Sequence, residues 1–441
     1  MCECINVENG REMNLQIYNI IDSYFKENNL DLEDLTLKQH IDNIITIIFK
    51  SIENVDNYYD EVENKNNLPL IVRKIFYVEY KKYIEPYLNN INNQIKNLDA
   101  IPLINQREEG WYAFRNELIS ASSIHSVLNY STPNSLLLEK IGVSMPFIQN
   151  EPIIHGIIFE IVSQCLYESR NDIKIKEYGC IPHSTYSFIG ASPDGVVNYI
   201  NENEEYDIYR LALSGRLLEI KNPSSRNITN TIKPSYYSQI ITQQEVCKLP
   251  ICDFLETKFN KYNNIDEFFN CCIDFNYFET VDNNYIPFCN LSSNYQEKGI
   301  LLKFRKDKSY TSDLYPLDIP YEREKIEEWI DIKVKEYKDN GFDFEQTIYW
   351  ELSEYSVQTV KFNKTKWDTL YIKSKELWDD VLEYRKLSDS EVLEKIKKYD
   401  LELIDKDLKE EKPETTKYKV RNIRKKKENK IITIKANEYN F

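Results

Sequence analysis

The chain has 441 residues, 41% hydrophobic and 29% charged, with 56 basic against 72 acidic side chains and a net charge of −16. That length can bury a large core, one main domain with appended segments, and that charge argues against a protein that coats nucleic acid unspecifically. No run of 18 apolar residues occurs, and Met1-Cys2-Glu3-Cys4 has no basic stretch leading into an apolar one, so a soluble, intracellular protein with no membrane partner is expected.

Residues 1–100 read as a helical N-terminal region. Leu15, Ile17, Ile20, Ile21, Tyr24 and Phe25 recur at helical spacing, as do Ile41, Ile44, Ile45, Ile47, Ile48 and Phe49. Arg115 then sits among aromatics in a further helical stretch, and Ser122 and Ser123 stand where they could cap a helix over 124–128. Around 186–200, Tyr186, Phe188, Ile189, Val196, Val197, Tyr199 and Ile200 are strand formers about a Gly190-Ala191-Ser192-Pro193-Asp194-Gly195 turn. An apolar run over 211–220 predicts a second strand, and the polar loop 201–207 lets the two pair antiparallel. Later, 299–304 reads as a strand, 322–337 as an amphipathic helix, 349–352 as a late strand, and 367–387 as a closing helix with Leu370, Leu377, Trp378 and Val381 on its apolar side.

These elements predict an α/β fold over 101–388, with a mixed β-sheet flanked by helices. Residues 389–441 shift to a charged tail in which Lys417, Lys419, Arg421, Arg424, Lys425, Lys426, Lys427 and Lys430 cluster. Such a cluster reads as a nucleic-acid contact or nuclear-localisation patch, or as a solvated disordered tail. Nine cysteines, an odd number without a secretion signal, predict reduced thiols. Cys247, Cys252, Cys271, Cys272 and Cys289 include no C-x-x-C spacing and are read as buried small hydrophobes. His155 belongs to no metal-spaced pair and is read as a structural or surface histidine.

The chemistry-bearing motif is Pro193-Asp194, followed 25 residues later by Glu219-Ile220-Lys221. A phosphodiester repels hydroxide, so its hydrolysis calls for a divalent cation that neutralises the phosphate and acidifies a bound water. Mg²⁺ suits a site with one or two carboxylates and substrate phosphate, with Mn²⁺ as an alternative. Strand alternation puts Glu219 and Lys221 on one face and Ile220 on the other, aiming a metal ligand and an ammonium at one point. The lysine could then orient or deprotonate water, or stabilise developing charge.

Five blocks in order resemble the phage lambda exonuclease and YqaJ-type viral recombinase family of PD-(D/E)xK nucleases. They are Trp111 to Arg115 with Ala121-Ser122-Ser123, His155-Gly156 with Glu160, Gly190 to Gly195, Leu217 to Pro223, and Tyr236 to Gln243 running on to Phe254. The resemblance implies a restriction-endonuclease-like core and a metal-dependent DNase, most simply an exonuclease acting on linear duplex DNA from the 5′ end. It implies that Glu160, Asp194, Glu219 and the Ile220 carbonyl face the metal and that Lys221 is the catalytic lysine. It also implies that Arg115, Ser122 and Ser192 bind the terminal 5′-phosphate. The family's Q-x-Q pair is altered here: Gln239 is retained, Ile241 replaces the second glutamine, and Gln243 lies one turn on. Viral recombination, repair or genome processing, a single-strand annealing partner and a homo-oligomeric ring are implied in the same way, with host cytoplasm or nucleus as the compartment. A structure-specific endonuclease on the same core, or a non-catalytic nucleic-acid-binding scaffold, are the alternative readings.

Overall fold

The computed structural model describes residues 7–28, 36–53, 85–102, 114–129, 135–144, 150–198, 208–229, 231–270, 296–307 and 309–396, with a few shorter stretches. The basic tail at 417–430, Trp111 to Ala113, Tyr199, Ile200, and Cys271, Cys272 and Cys289 lie outside the described residues. Helices α1 (Val7–Asn28) and α2 (Leu37–Glu53) form where the apolar periodicity predicts them. Thr36 and Gln39 cap α2 reciprocally: Thr36 Oγ1 accepts from Gln39 N at 3.2 Å, and Gln39 Oε1 accepts from Thr36 N at 2.7 Å. Ile17, Ile21, Tyr24, Ile41 and Ile44 are buried, whereas Leu15 and Ile47 of the same stripes are exposed. Among the described residues no helix is long and apolar enough to cross a membrane.

The central elements run β1 (Ile119–Ser120), a 3₁₀ turn (Ile124–Asn129), α3 (Ser135–Lys140), α4 (Glu151–Asn171), β2 (Ile175–Lys176), β3 (Ile181–Pro182), β4 (Ile189–Ala191) and β5 (Gly195–Val197). They continue α5 (Ile208–Leu213), β6 (Leu217–Lys221), α6 (Pro234–Cys247), β7 (Ile251–Tyr262), α7 (Ile265–Asn270), β8 (Lys298–Lys306) and β9 (Ser309–Leu314), and close with α8 (Arg323–Asp339), β10 (Asp343–Lys361) and α9 (Lys364–Tyr384). Seven strands form one sheet in the order β9-β8-β10-β7-β6-β5-β2, and β1-β4-β3 form a small second sheet. Only β6 and β7 run parallel in the large sheet, as a strand–helix–strand crossover through α6 requires. The antiparallel β5–β6 pair, the α6 crossover and β7 make a mixed α/β core with helices on both faces, as the sequence predicts.

Two expectations are corrected. The run over 211–220 is not one strand: α5 ends at Leu213, the chain reverses at Gly215 with φ +73°, and only Leu217–Lys221 is extended. A Cβ at Gly215 would lie 2.3 Å from Ile91, so the turn needs glycine for both its dihedral and the close approach of the helical residues 85–99. The strands expected around 186–200 are also shorter, and they belong to different sheets. Tyr186 sits in a turn closed by Ile189 N to Tyr186 O at 2.9 Å, and Pro193, which has no N–H to give a ladder, lies in the link between β4 and β5.

The large sheet is covered on both faces, which is why the first seven residues of β7 are all buried. On one face Leu217, Cys252 and Phe254 pack with Ile240 and Ile241 of α6 and with Leu370, Leu377 and Val381 of α9. Ile91, Ile95 and Leu98 of helical residues 85–99 join this cluster. On the other face Leu218, Ile220 and Leu255 pack with Tyr167 of α4, and Ile158, Phe159 and Val162 of α4 pack against Leu301, Ile348 and Trp350. Buried positions along α4 recur every three or four residues, and Asn150 caps its start by accepting from Ile153 N at 3.1 Å.

Candidate active site

Strand alternation distributes the motif as the sequence predicts. Glu219 and Lys221 project to the α6 face with Leu217, while Leu218 and Ile220 project to the α4 face. Asp194 comes in from the link before β5, and its Oδ2 accepts from Ile220 N at 2.7 Å. Lys221 Nζ is ion-paired with Glu219 Oε1, and Glu219 is 0% exposed. Gln243 of α6 donates from Nε2 to Glu219 Oε2 at 2.7 Å and to the Ser192 carbonyl at 3.4 Å. Asp194, Glu219, Lys221 and Gln243 therefore meet at one point, at the C-terminal end of β6.

The electrostatics follow from crowding carboxylates in a dry place. Burial, then Glu219, then Glu160 push the Asp194 carboxyl well above the usual carboxylate range. Glu160 of α4 thus acts on Asp194 as a third negative charge. Burial pulls Lys221 down, but the charges of Glu219 and Asp194 outweigh it and raise the ammonium above its ordinary value. Lys221 is consequently a fixed cation at neutral pH, suited to holding an anion or a developing charge rather than to removing a proton. Its Nζ also lies 5.1 Å from the ring centre of Tyr236.

The donor set fits a hard divalent cation. Three acidic side chains repel one another here, and the buried Gln243 Oε1 has no hydrogen-bond partner among the described residues. Among those residues no three His, Cys, Asp or Glu side chains already stand as a ligand cluster, and Lys221 is ion-paired with Glu219 Oε1.

A second cluster adjoins the first. Arg115 Nη2 donates to Ser120 Oγ and Ser122 Oγ, each at 2.9 Å, and Ser120 Oγ lies 3.0 Å from both Ser122 Oγ and Ser123 Oγ. The Ser192 side chain hydrogen-bonds the Cys180 thiol, which burial raises while Ser192, Arg115 and Lys140 act against it. Ser192 therefore belongs to both clusters: its hydroxyl reaches Cys180 beside Arg115, and its carbonyl reaches Gln243 beside Glu219. The structure thus brings Arg115, Ser122 and Ser192 to one region, next to the carboxylates. Gln239 is half-buried one turn before Gln243 on α6, whereas Gln243, read as a substitute phosphate contact, contacts Glu219.

Several participants carry no sequence signal. Ser163 Oγ and Thr257 Oγ1 both donate to Asn222 Oδ1 at 2.6 Å, and Asn222 Nδ2 donates to the Gly156 carbonyl at 3.2 Å. This buried network ties α4, which carries Glu160, to the residue after Lys221. Ser120 and Lys140 add a hydroxyl and a buried ammonium to the Arg115 cluster. The His155 ring lies 4.5 Å from that of Phe159, tilted by 34°. Cys247 and Cys252 are buried.

The site presents a strand-borne E-x-K beside a half-buried aspartate, on a sheet with one parallel crossover. Residues 110–249 match the family model of the YqaJ-like viral recombinase domain. The chain is 30% identical over 369 residues to uncharacterized protein R354 of Acanthamoeba polyphaga mimivirus, an alignment covering 77% of this chain and 62% of that protein. It therefore spans less than two thirds of that curated relative. An alkaline exonuclease from Laribacter hongkongensis, LHK-Exo, is 15% identical, with 67% of this chain and 100% of that chain covered and a TM-score of 0.34. The same enzyme in complex with dAMP gives 15% identity, coverage of 63% and 95%, and the same TM-score of 0.34.

Proposed function

We propose that this protein is a metal-dependent deoxyribonuclease, an exonuclease that degrades one strand of linear duplex DNA from a 5′-phosphorylated end. The observation that carries the reading is the convergence of Asp194, Glu219 and Lys221, with Gln243 oriented on Glu219. The YqaJ-like domain over 110–249 supports the same class. In this reading Mg²⁺, or Mn²⁺, is held by Asp194, Glu219 and the Ile220 carbonyl, with Glu160 beside them. The cation supplies charge neutralisation at the phosphate and an acidified water. Gln243 keeps Glu219 in its ligand orientation. Lys221 stays protonated and offers its ammonium to the charge that develops on the phosphate oxygens. Arg115, Ser122 and Ser192 hold the terminal phosphate and set the distance from the strand end to the carboxylates, with the guanidinium fork matching a phosphate.

The test is incubation of linear duplex with 5′-phosphoryl or 5′-hydroxyl ends, and of closed circular duplex, with Mg²⁺, comparing the natural chain with Lys221→Ala. Loss of the phosphorylated linear form ahead of the others, abolished by the substitution, is expected. Cutting of closed circles points instead to an endonuclease, and no metal-dependent loss of any substrate to a binding scaffold.

A further inference from the structure

Arg115 is held from two directions. Its side chain is fixed by the serine hydroxyls, and its main-chain carbonyl accepts from Lys140 Nζ at 3.0 Å. Lys140, the last residue of α3, is 3% exposed, and its ammonium is shared with Glu139 at 2.8 Å, whose carboxylate is 53% exposed. The Lys140 carbonyl in turn accepts twice from Arg385, from Nε at 3.1 Å and from Nη2 at 2.8 Å. Arg385 caps the C-terminus of α9. The same guanidinium donates to the Asn116 carbonyl at 3.2 Å and to Glu117 Oε2 at 2.7 Å, and it lies 5.4 Å from the Trp378 ring centre. One planar fork thereby joins the end of the closing helix to the end of α3 and to the turn that carries Arg115, a geometry an ammonium cannot reproduce.

We propose that Lys140 and Arg385 are positioning residues that aim Arg115, and that through it the end of α9 sets how strongly a 5′-phosphorylated end is preferred over a 5′-hydroxyl end. The inference rests on the reading of Arg115, Ser122 and Ser192 as the terminal-phosphate pocket. The charge balance agrees with it. Arg115 and the buried Lys140 both bear on Cys180, beside Ser192, so the pocket concentrates positive charge in an acidic protein. A terminal phosphate monoester carries close to two negative charges, and a hydroxyl end carries none. The half-buried Arg115 guanidinium, held by neutral hydroxyls, and the buried Lys140 ammonium, shared with the largely exposed Glu139, suit the first and give nothing to the second.

The experiment measures kcat/KM on linear duplexes that differ only in a 5′-phosphoryl or 5′-hydroxyl end, with Mg²⁺, for the natural chain and for Arg115→Ala, Arg385→Ala, Arg385→Lys, Lys140→Met and the Arg115→Ala/Arg385→Ala double variant. Circular dichroism melts monitor folding. Arg385→Ala is expected to lower the phosphoryl-to-hydroxyl ratio about tenfold or more, as a small misplacement of an orienting group does. Arg385→Lys should recover part of the ratio and Lys140→Met should lower it. The double variant should show the ratio of Arg115→Ala alone, because the relay acts only through Arg115. Equal losses on both ends in Arg385→Ala and Lys140→Met would reduce the two residues to braces of the fold and overturn the relay. Should Arg385→Ala not fold, Arg385→Lys and Lys140→Met decide the matter by the same ratio. A natural chain without end preference, or Arg115→Ala that keeps it, overturns the pocket itself and the relay with it.

Discussion

Gln243 donates from Nε2 to Glu219 Oε2 at 2.7 Å, while its own Oε1 is buried without a hydrogen-bond partner among the described residues. A buried amide that satisfies one half and leaves the other open is costly in a purely structural role. The amide is therefore proposed to act as an orienting group for Glu219.

Gln243→Leu keeps the volume and removes that role. About a 10–100-fold loss in activity, or a rise of that size in the Mg²⁺ concentration needed for half-maximal activity, is expected, the usual consequence of removing an outer-shell partner. Titrating Mg²⁺ against the hydrolysis rate checks it; an unchanged half-saturation point together with an unchanged rate would remove Gln243 from the site.

The Ser163–Asn222–Thr257 network bridges the Glu160 helix to the catalytic strand. Thr257→Val preserves shape but leaves the Asn222 carbonyl with one donor instead of two, which should cost about 1–3 kcal/mol of stability. Urea unfolding of the single variants and of Ser163→Ala/Thr257→Val measures it. Strict additivity of the two would mean that the three side chains do not act as one unit.

Behind the sheet, Arg216 and Asp253 are each 2% exposed and paired at 2.9 Å, with Tyr167 and Thr359 hydroxyls also on Asp253. Arg216→Met strands a buried carboxylate and should cost about 3–5 kcal/mol, whereas Arg216→Met/Asp253→Leu should recover much of it. Arg216 Nη2 also reaches Thr36 Oγ1 at 3.3 Å, so the single variant should loosen α2 as well. Hydrogen exchange at the start of α2 reads this out, and protection equal to that of the natural chain counts against the link.

His155 is half-buried, and burial with the nearby Lys261 charge holds its pKa down at about 4 against an ordinary 6.5. Its folded pKa lies below the unfolded one, so the unfolded chain binds the proton first. The stability it contributes is present above pH 6.5 and is lost as the pH falls toward 4. His155→Phe should therefore narrow the drop in urea midpoint between pH 7 and pH 5; an equal drop in both proteins would show that other groups govern the acid limb.

How much was legible follows from how local each feature is. Glu219, Ile220 and Lys221 could be placed from sequence because alternation along a strand is a property of three consecutive residues. Helices α1, α2, α8 and α9 were legible because apolar periodicity persists over several turns. The run over 211–220 misled, because apolarity alone does not separate a buried helix from a buried strand, and Gly215 reverses the chain only where Ile91 leaves no room for a Cβ. Gln243 was legible as a residue type at helical spacing, and its partner was not, since contact with Glu219 depends on how α6 lies across the sheet.

The amino-acid order alone determined the chemistry on offer: an aspartate in a proline turn, a strand-borne glutamate and lysine, an arginine and serines ahead of them. Only the tertiary structure decided what those groups do to one another. Arg385 and Lys140 are 245 residues apart, and Ser163 and Thr257 are 94 apart. No periodicity links such distant positions; packing α4, α6 and α9 on the two faces of one sheet brings them into hydrogen-bonding range. Burial in that packing raises the Asp194 carboxyl, and the carboxylates it gathers beside Lys221 hold that ammonium above its ordinary value.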